Sequence, residues 1–232
     1  MSLPVAILAG GLATRLLPIT ETIPKSLVDV AGVPFIARQL AYLRGQDVTR
    51  VVLCLGYLGE QVEAIVGDGN AFGLHVRYSW DGATLLGTGG ALRQALPLLG
   101  EHFFVYYGDS YLPIDFRLVE QSFFACDKPA VMTVLRNTDR WDKSNVLLRN
   151  GCIAEYNKRK PRQDMTHIDY GLGVISASVL ESIPVGEPAD LADVYHDLSV
   201  KGLLAGHEVF ERFYEIGSHR GLQETRDLFQ AN

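Results

Sequence analysis

Two cations follow a pair of glycines near the start of the chain, in Ala9-Gly10-Gly11-Leu12-Ala13-Thr14-Arg15 and then Pro24-Lys25. A glycine-rich turn at the carboxyl end of an apolar strand exposes successive backbone N–H groups. Arg15 adds a planar, bidentate donor on that turn, and Lys25 adds a point charge on what should be the same rim, so the set suits a phosphate. The alternative for the glycines alone is a tight strand-to-helix turn in which they serve only geometry. A carboxylate, Asp109, follows the apolar run 103–107 and Gly108, which places it at a strand end facing the same crevice. There it can hold a divalent cation or close an Asx turn.

Other nucleotide-binding arrangements fail on spacing. The dinucleotide fingerprint needs Gly-x-Gly-x-x-Gly and an acid closing the second strand, yet the second strand ends in Leu55-Gly56-Tyr57. A Walker loop needs Gly-x-x-x-x-Gly-Lys followed by Ser or Thr, and none occurs. Asp193, His196 and Asp197 lie too close along one helix to converge with a third ligand, so they read as a surface face rather than a zinc site. No Ser/His/Asp or Cys/His constellation is evident.

Positioning these groups requires strands with crossover helices. Apolar runs at 4–9, 51–55, 74–78 and 102–107 read as strands, and they alternate with helical patterns at 36–43, at 91–99 and through Leu58, Val62 and Ile65. The strands are apolar on both faces, which predicts helices on each side of a mostly parallel mixed sheet: a three-layer, Rossmann-like α/β fold. After residue 130 the rhythm changes. Two short runs, 146–148 and 152–156, flank Asn150-Gly151, the preferred type I′ turn pair, and predict an antiparallel hairpin lid. A strand near 172–175 and helices near 191–204 and 222–229 close the chain. We expect one domain over 1–232.

The chain has 232 residues, is 47% hydrophobic and 21% charged, and carries a net charge of −6, which excludes disorder and low-complexity architectures. With 21 Lys and Arg against 27 Asp and Glu and no polybasic run, neither nucleic acid nor an anionic membrane is an expected partner. Three scattered cysteines and no signal-like segment point to the cytoplasm.

Taken together, Gly10-Gly11-x-Ala13-Thr14-Arg15-Leu16-x-Pro18, Pro24-Lys25-Ser26, Gly32-Val33-Pro34, Leu86-Gly87-Thr88-Gly89-Gly90, Gly108-Asp109 and Tyr214-Glu215-Ile216-Gly217 resemble the sugar-1-phosphate nucleotidyltransferases over nearly the whole chain. The length is similar to that of the short members, such as heptose-1-phosphate guanylyltransferases and N-acetylmuramate-1-phosphate uridylyltransferases. The resemblance implies a nucleoside triphosphate and a sugar 1-phosphate as substrates and Mg2+ as cofactor, with 1–135 mainly the nucleotide-binding half and 136–232 mainly the sugar-phosphate-binding half and lid. It implies Arg15, Lys25 and Asp109 as catalytic residues, and nucleotide contacts from Ala9, Gly10, Gly11, Thr14, Gly87 and Thr88. Sugar-phosphate contacts would come from Asn157, Lys158 and Asp169, and the metal would sit on Asp109 and Glu215. Glu215 stands where the family usually has aspartate, and Asn157 where it usually has glutamate. A non-sugar phosphate acceptor and a catalytically silent binding homologue are the competing readings. Nucleotide base, acceptor and oligomeric state stay open.

Overall fold

The computed structural model describes residues 2–137 and 139–231. Its strands and helices run in chain order as β1 (Val5–Leu8), β2 (Asp29–Val30), β3 (Val33–Pro34), α1 (Phe35–Gly45), β4 (Arg50–Leu55), α2 (Gly59–Val66), β5 (His75–Trp80), α3 (Gly87–Leu99), β6 (His102–Tyr107), β7 (Ser110–Tyr111) and α4 (Phe116–Ala125). They continue with β8 (Ala130–Arg136), β9 (Val146–Arg149), β10 (Cys152–Tyr156), β11 (His167–Ser176), α5 (Leu191–Val200), β12 (Leu204–Val209), β13 (Tyr214–Glu215) and α6 (His219–Gln230).

Nine strands form one sheet in the order β5-β4-β1-β6-β11-β8-β12-β10-β9. Pairing is parallel from β5 through β6 and between β8 and β12, and antiparallel around β11 and β10. Side chains alternate across each strand, so Val5, Ile7, Phe104 and Tyr106 enter one core while Ala6, Phe103 and Val105 enter the other. The first core is closed by α1, α2 and α4, and the second by α3 and α5. This is the expected three-layer arrangement. A smaller cluster of Leu16, Val28, Val30, Phe35, Ile216 and Leu222 fastens α6 to the glycine-rich segment.

The Asn150-Gly151 turn has φ of 50° and 72°, as a type I′ hairpin requires. The hairpin is continuous with the main sheet through β10 and β12, so the lid side of the crevice is built on the same scaffold as the floor. Two local expectations are corrected. Ile65 is 53% exposed, because α2 starts at Gly59 and buries Val62 and Val66 at i, i+4 spacing. The helix expected over 191–204 stops at Val200, where Gly202 turns the chain with φ +70°, and Leu204 opens β12 instead. β8 and α4 lie in stretches to which the pattern assigned no element.

Candidate active site

Parallel strands β1, β4 and β6 point their carboxyl ends to the same side, and the glycine-rich segment leaves β1 across that side. The chain crosses closely over β4. A Cβ on Gly10 would lie 2.9 Å from Gly56 N, and Tyr57 N donates to Gly10 O at 3.2 Å, so the close approach that glycine permits here is to the β4–α2 turn. Ala13 adopts a left-handed φ of 52° and its carbonyl accepts from Thr20 Oγ1 at 2.9 Å. The short helical turn Thr14–Leu16 then buries Leu16 and leaves Arg15 on the outside.

Asp109 is set by the packing beneath it. Gly108 lets the end of β6 lie on β1, since its Cβ would stand 2.6 Å from Leu8 O. The buried Gln39 of α1 donates through Nε2 to Tyr107 O at 3.2 Å and Ser110 O at 2.8 Å, which pins the turn from below. Lys25 Nζ meets Asp109 Oδ2 at 2.7 Å. Burial alone would push the Asp109 carboxyl up, but Lys25 and Arg15 outweigh it and hold the group below the ordinary carboxylate range.

Two cavities join at this carboxylate. The first, about 290 Å³, is lined by Ala9, Gly10, Gly11, Lys25, Gly87 and Thr88 over apolar walls from Leu8, Leu85 and Ala91. The second, about 440 Å³, is lined by Arg15, Asn145, Asp169, Glu215 and Ser218 with aromatic walls from Trp141 and Phe213. Tyr107, Asp109 and Lys158 line both. The proposed catalytic trio therefore shares one connected crevice.

Glu215 lies beside Asp109 because β13 pairs with β7, with Ile216 N donating to Asp109 O at 2.9 Å. A Cβ built on Gly217 would fall 2.8 Å from Glu215 Oε2, 3.0 Å from Asp109 Oδ2 and 3.0 Å from an Arg15 guanidinium nitrogen. The two carboxylates and Arg15 thus converge beside that glycine, and both Glu215 oxygens accept hydrogen bonds there, Oε2 from Gly217 N and Oε1 from Ser218 Oγ, each at 2.5 Å. A carboxylate oxygen keeps a second lone pair, so the pair can still serve a divalent cation that takes one or two protein carboxylates and fills its remaining positions with water and substrate phosphate. Among the described residues no cluster of three or more His, Cys, Asp or Glu is placed to hold a metal.

Not every expected residue faces the crevice. Thr14 lines neither cavity. Asn157 is likewise absent from both, and its side chain binds its own turn, accepting from Lys160 N at 2.9 Å and donating to Glu155 at 3.3 Å. Thr88 lines the first cavity, but its hydroxyl donates to Asp190 at 3.0 Å and accepts from Leu191 N at 2.8 Å, so it anchors the start of α5. Gly87 also lines the cavity, while the clash that its missing side chain avoids is with Ala189 O at 2.7 Å. Asp169 does face the second cavity, hydrogen-bonded to Gly171 N at 3.0 Å. Burial pushes its carboxyl up to about 6, against smaller lowering effects of Gly171 N–H and Lys158.

The sequence reading missed Asp81, Tyr107, Trp141 and Asn145. Asp81 and Tyr107 end or follow strands that point into the crevice, so the rule that selected Asp109 could have found them. Asn145 accepts from Asp169 N at 3.0 Å, a contact between distant segments, and Trp141 sits in an irregular connection that carries no pattern.

Residues 5–140 match the family described as Nucleotidyl transferase. The chain belongs to the nucleotidyl transferase family. It is 44% identical over 229 residues to N-acetylmuramate alpha-1-phosphate uridylyltransferase of Neisseria meningitidis, covering 97% of each chain. It is 27% identical to UTP–glucose-1-phosphate uridylyltransferase of Synechocystis over 85% of its own length, but spans only 55% of that relative. Among solved structures, HddC of Yersinia pseudotuberculosis complexed with GMP-PN superposes with a TM-score of 0.82 at 26% identity, over 98% of this chain and all of that one. Family members generally use a divalent metal, which agrees with the paired carboxylates. Among the described residues no helix is long and apolar enough to cross a membrane.

Proposed function

We propose that this chain is a Mg2+-dependent sugar-1-phosphate nucleotidyltransferase, with UTP and N-acetylmuramate 1-phosphate as its substrate pair. The observation that carries the reading is the junction of the two cavities at Asp109, with Lys25 on one side and Arg15 and Glu215 on the other. The first cavity suits a nucleotide, whose base needs apolar walls and whose phosphates need backbone N–H groups and Lys25. The second suits a polar acceptor. The 44% identity with the Neisseria relative supports the uridine base and the N-acetylmuramate acceptor.

In this reading an acceptor phosphate oxygen attacks the α-phosphorus, and the bond from that phosphorus to the β-phosphate bridging oxygen breaks to release pyrophosphate. The acceptor is already anionic near neutral pH, with a second phosphate pKa of about 6, so no general base is needed. Catalysis reduces to positioning and charge neutralisation. Lys25 would neutralise the triphosphate, Arg15 and Lys158 would bring the acceptor phosphate alongside, and Asp169 would accept from acceptor hydroxyls. Asp109 and Glu215 would hold the metal, whose chemistry when bound is to offset phosphate charge. Residues 1–135 then supply most of the nucleotide side and 136–232 most of the acceptor side. The reading carries with it a proposed cytoplasmic location, where nucleoside triphosphates are supplied.

The deciding experiment is pyrophosphate release across four NTPs and a panel of sugar 1-phosphates, with glycerol 3-phosphate as a non-sugar acceptor. The expected result is turnover greatest with UTP and N-acetylmuramate 1-phosphate, abolished by EDTA and restored by Mg2+. Binding of nucleotide without turnover of any pair would overturn the catalytic reading in favour of a regulatory homologue.

A further inference from the structure

The acceptor cavity carries one feature that the phosphate chemistry does not use. Its wall includes the indole of Trp141, on the connection between β8 and β9. The backbone of that connection is held by Asn137, which is 1% exposed: Nδ2 donates to Asp142 O at 2.6 Å and to Ser144 Oγ at 3.1 Å, and Oδ1 accepts from Trp141 N at 3.0 Å. A fixed backbone does not fix an indole, which still has two free torsions.

The ring is held from another part of the chain. The Arg212 guanidinium lies 3.9 Å from the Trp141 ring centroid and 4.7 Å from that of Tyr214, and its far end is ion-paired with Glu224 of α6; the neighbouring Arg140 lies over the same indole at 4.6 Å but makes no tie to β13 among the described contacts. Arg212 Nε is buried with no hydrogen-bond partner among the described residues, so the guanidinium is placed by two rings and one carboxylate rather than by the backbone. Tyr214 directly precedes Glu215 on β13. One cation thus ties the wall of the acceptor cavity to the strand that carries the second carboxylate.

We propose that Trp141 is the apolar wall that sets affinity for the sugar phosphate, and that Arg212 is the positioning residue that clamps it. A pyranose presents C–H groups beside its hydroxyls, and the apolar surface that a rigidly held indole contributes to a polar cavity packs against them at low entropic cost. Trp141 does not line the nucleotide cavity, so the clamp acts on the acceptor alone. The inference rests on the functional reading above.

Its test is steady-state kinetics of Trp141→Ala, Arg212→Ala and Arg212→Lys with UTP and N-acetylmuramate 1-phosphate. The first two are expected to raise the acceptor KM roughly tenfold and leave the UTP KM within about twofold, whereas lysine, which keeps the cation over the ring, restores most of the loss. Removing Arg212 leaves Glu224 paired with Arg220 at 2.9 Å, so the variant does not strand a carboxylate. Equal rises in both KM values, or an unchanged acceptor KM, would overturn the clamp. A second readout separates this from failure of the catalytic reading. Trp80 and Trp141 are the two tryptophans, so Trp80→Phe makes the emission report Trp141 alone. Titration with N-acetylmuramate 1-phosphate or glucose 1-phosphate should change that emission even if no pair turns over. No response to either sugar phosphate would overturn the proposal.

Discussion

Asp109 and Asp169 are two carboxylates in one crevice whose surroundings push them in opposite directions. For Asp109, burial is outweighed by Lys25 at 2.7 Å and by Arg15, so its folded pKa lies below the unfolded one. That contribution to stability is present above the unfolded carboxylate value and is lost as pH falls through the folded one. Lys25→Met leaves the burial cost with only the weaker effect of Arg15 against it. The variant should be less stable than wild type at pH 7, with the difference shrinking toward pH 3 in urea titrations, and turnover should fall roughly 10²–10³-fold through loss of a charge aimed at the phosphates. Asp169 has the reverse sign. Burial raises it to about 6, so ionising it works against the fold, and the penalty grows as pH rises from about 4 to about 6 and is complete above that. Asp169→Asn is expected to raise Tm at pH 7.5 and to leave it unchanged at pH 4, while weakening the acceptor; a Tm gain of equal size at both pH values would refute the assignment.

At the scale of elements, the start of α3 shows packing and propensity in opposition. Gly90 lies in the first turn of the helix with an ordinary negative φ, where alanine normally stabilises by about 0.5–1 kcal/mol. Here its Cβ would stand 2.5 Å from Glu187 O and 3.3 Å from Ala189 N, both backbone atoms, and overpacking of that kind costs about 1–3 kcal/mol. Gly90→Ala should therefore lower stability by about 1–2 kcal/mol in chemical denaturation, the opposite of what the helix scale alone gives. Other elements were legible in the sequence itself. Strands buried on both faces are legible as unbroken apolar runs, Asn150-Gly151 specifies its own turn, and the place of Asp109 after a strand puts it in the crevice. Glycines in a phosphate-like turn could not be sorted by purpose, because Gly87 and Gly90 answer to residues 187–190, a hundred positions away. Leu203 and Leu204 run on from the apolar face of α5, so only the break at Gly202 separates helix from β12. Trp141 could not be found, since it sits in an irregular connection and the cation that ties it to β13 comes seventy residues later.

At the scale of the whole molecule, the two proposed halves are interleaved rather than joined end to end. β11, from the second half, lies between β6 and β8 of the first, and β12 covers the other edge of β8. A chain ending at residue 135 would leave β6 as an open edge and β8 with no neighbour. It would also remove Ile168, Tyr170, Leu172 and Val174 from the core that contains Val5, Ile7, Phe104 and Tyr106. Strand pairing and apolar burial are lost at the same interface, and a small domain's margin of about 5–15 kcal/mol does not survive the loss of several buried large side chains at about 1.5–3 kcal/mol each. The full chain is accordingly expected to unfold in one transition by circular dichroism and by tryptophan fluorescence, with coincident midpoints. The fragment 1–135 should show no cooperative transition. A fragment that melts cooperatively and binds UTP by itself would mean that the nucleotide side is an autonomous unit, and the crevice an interface between two domains rather than a feature of one sheet.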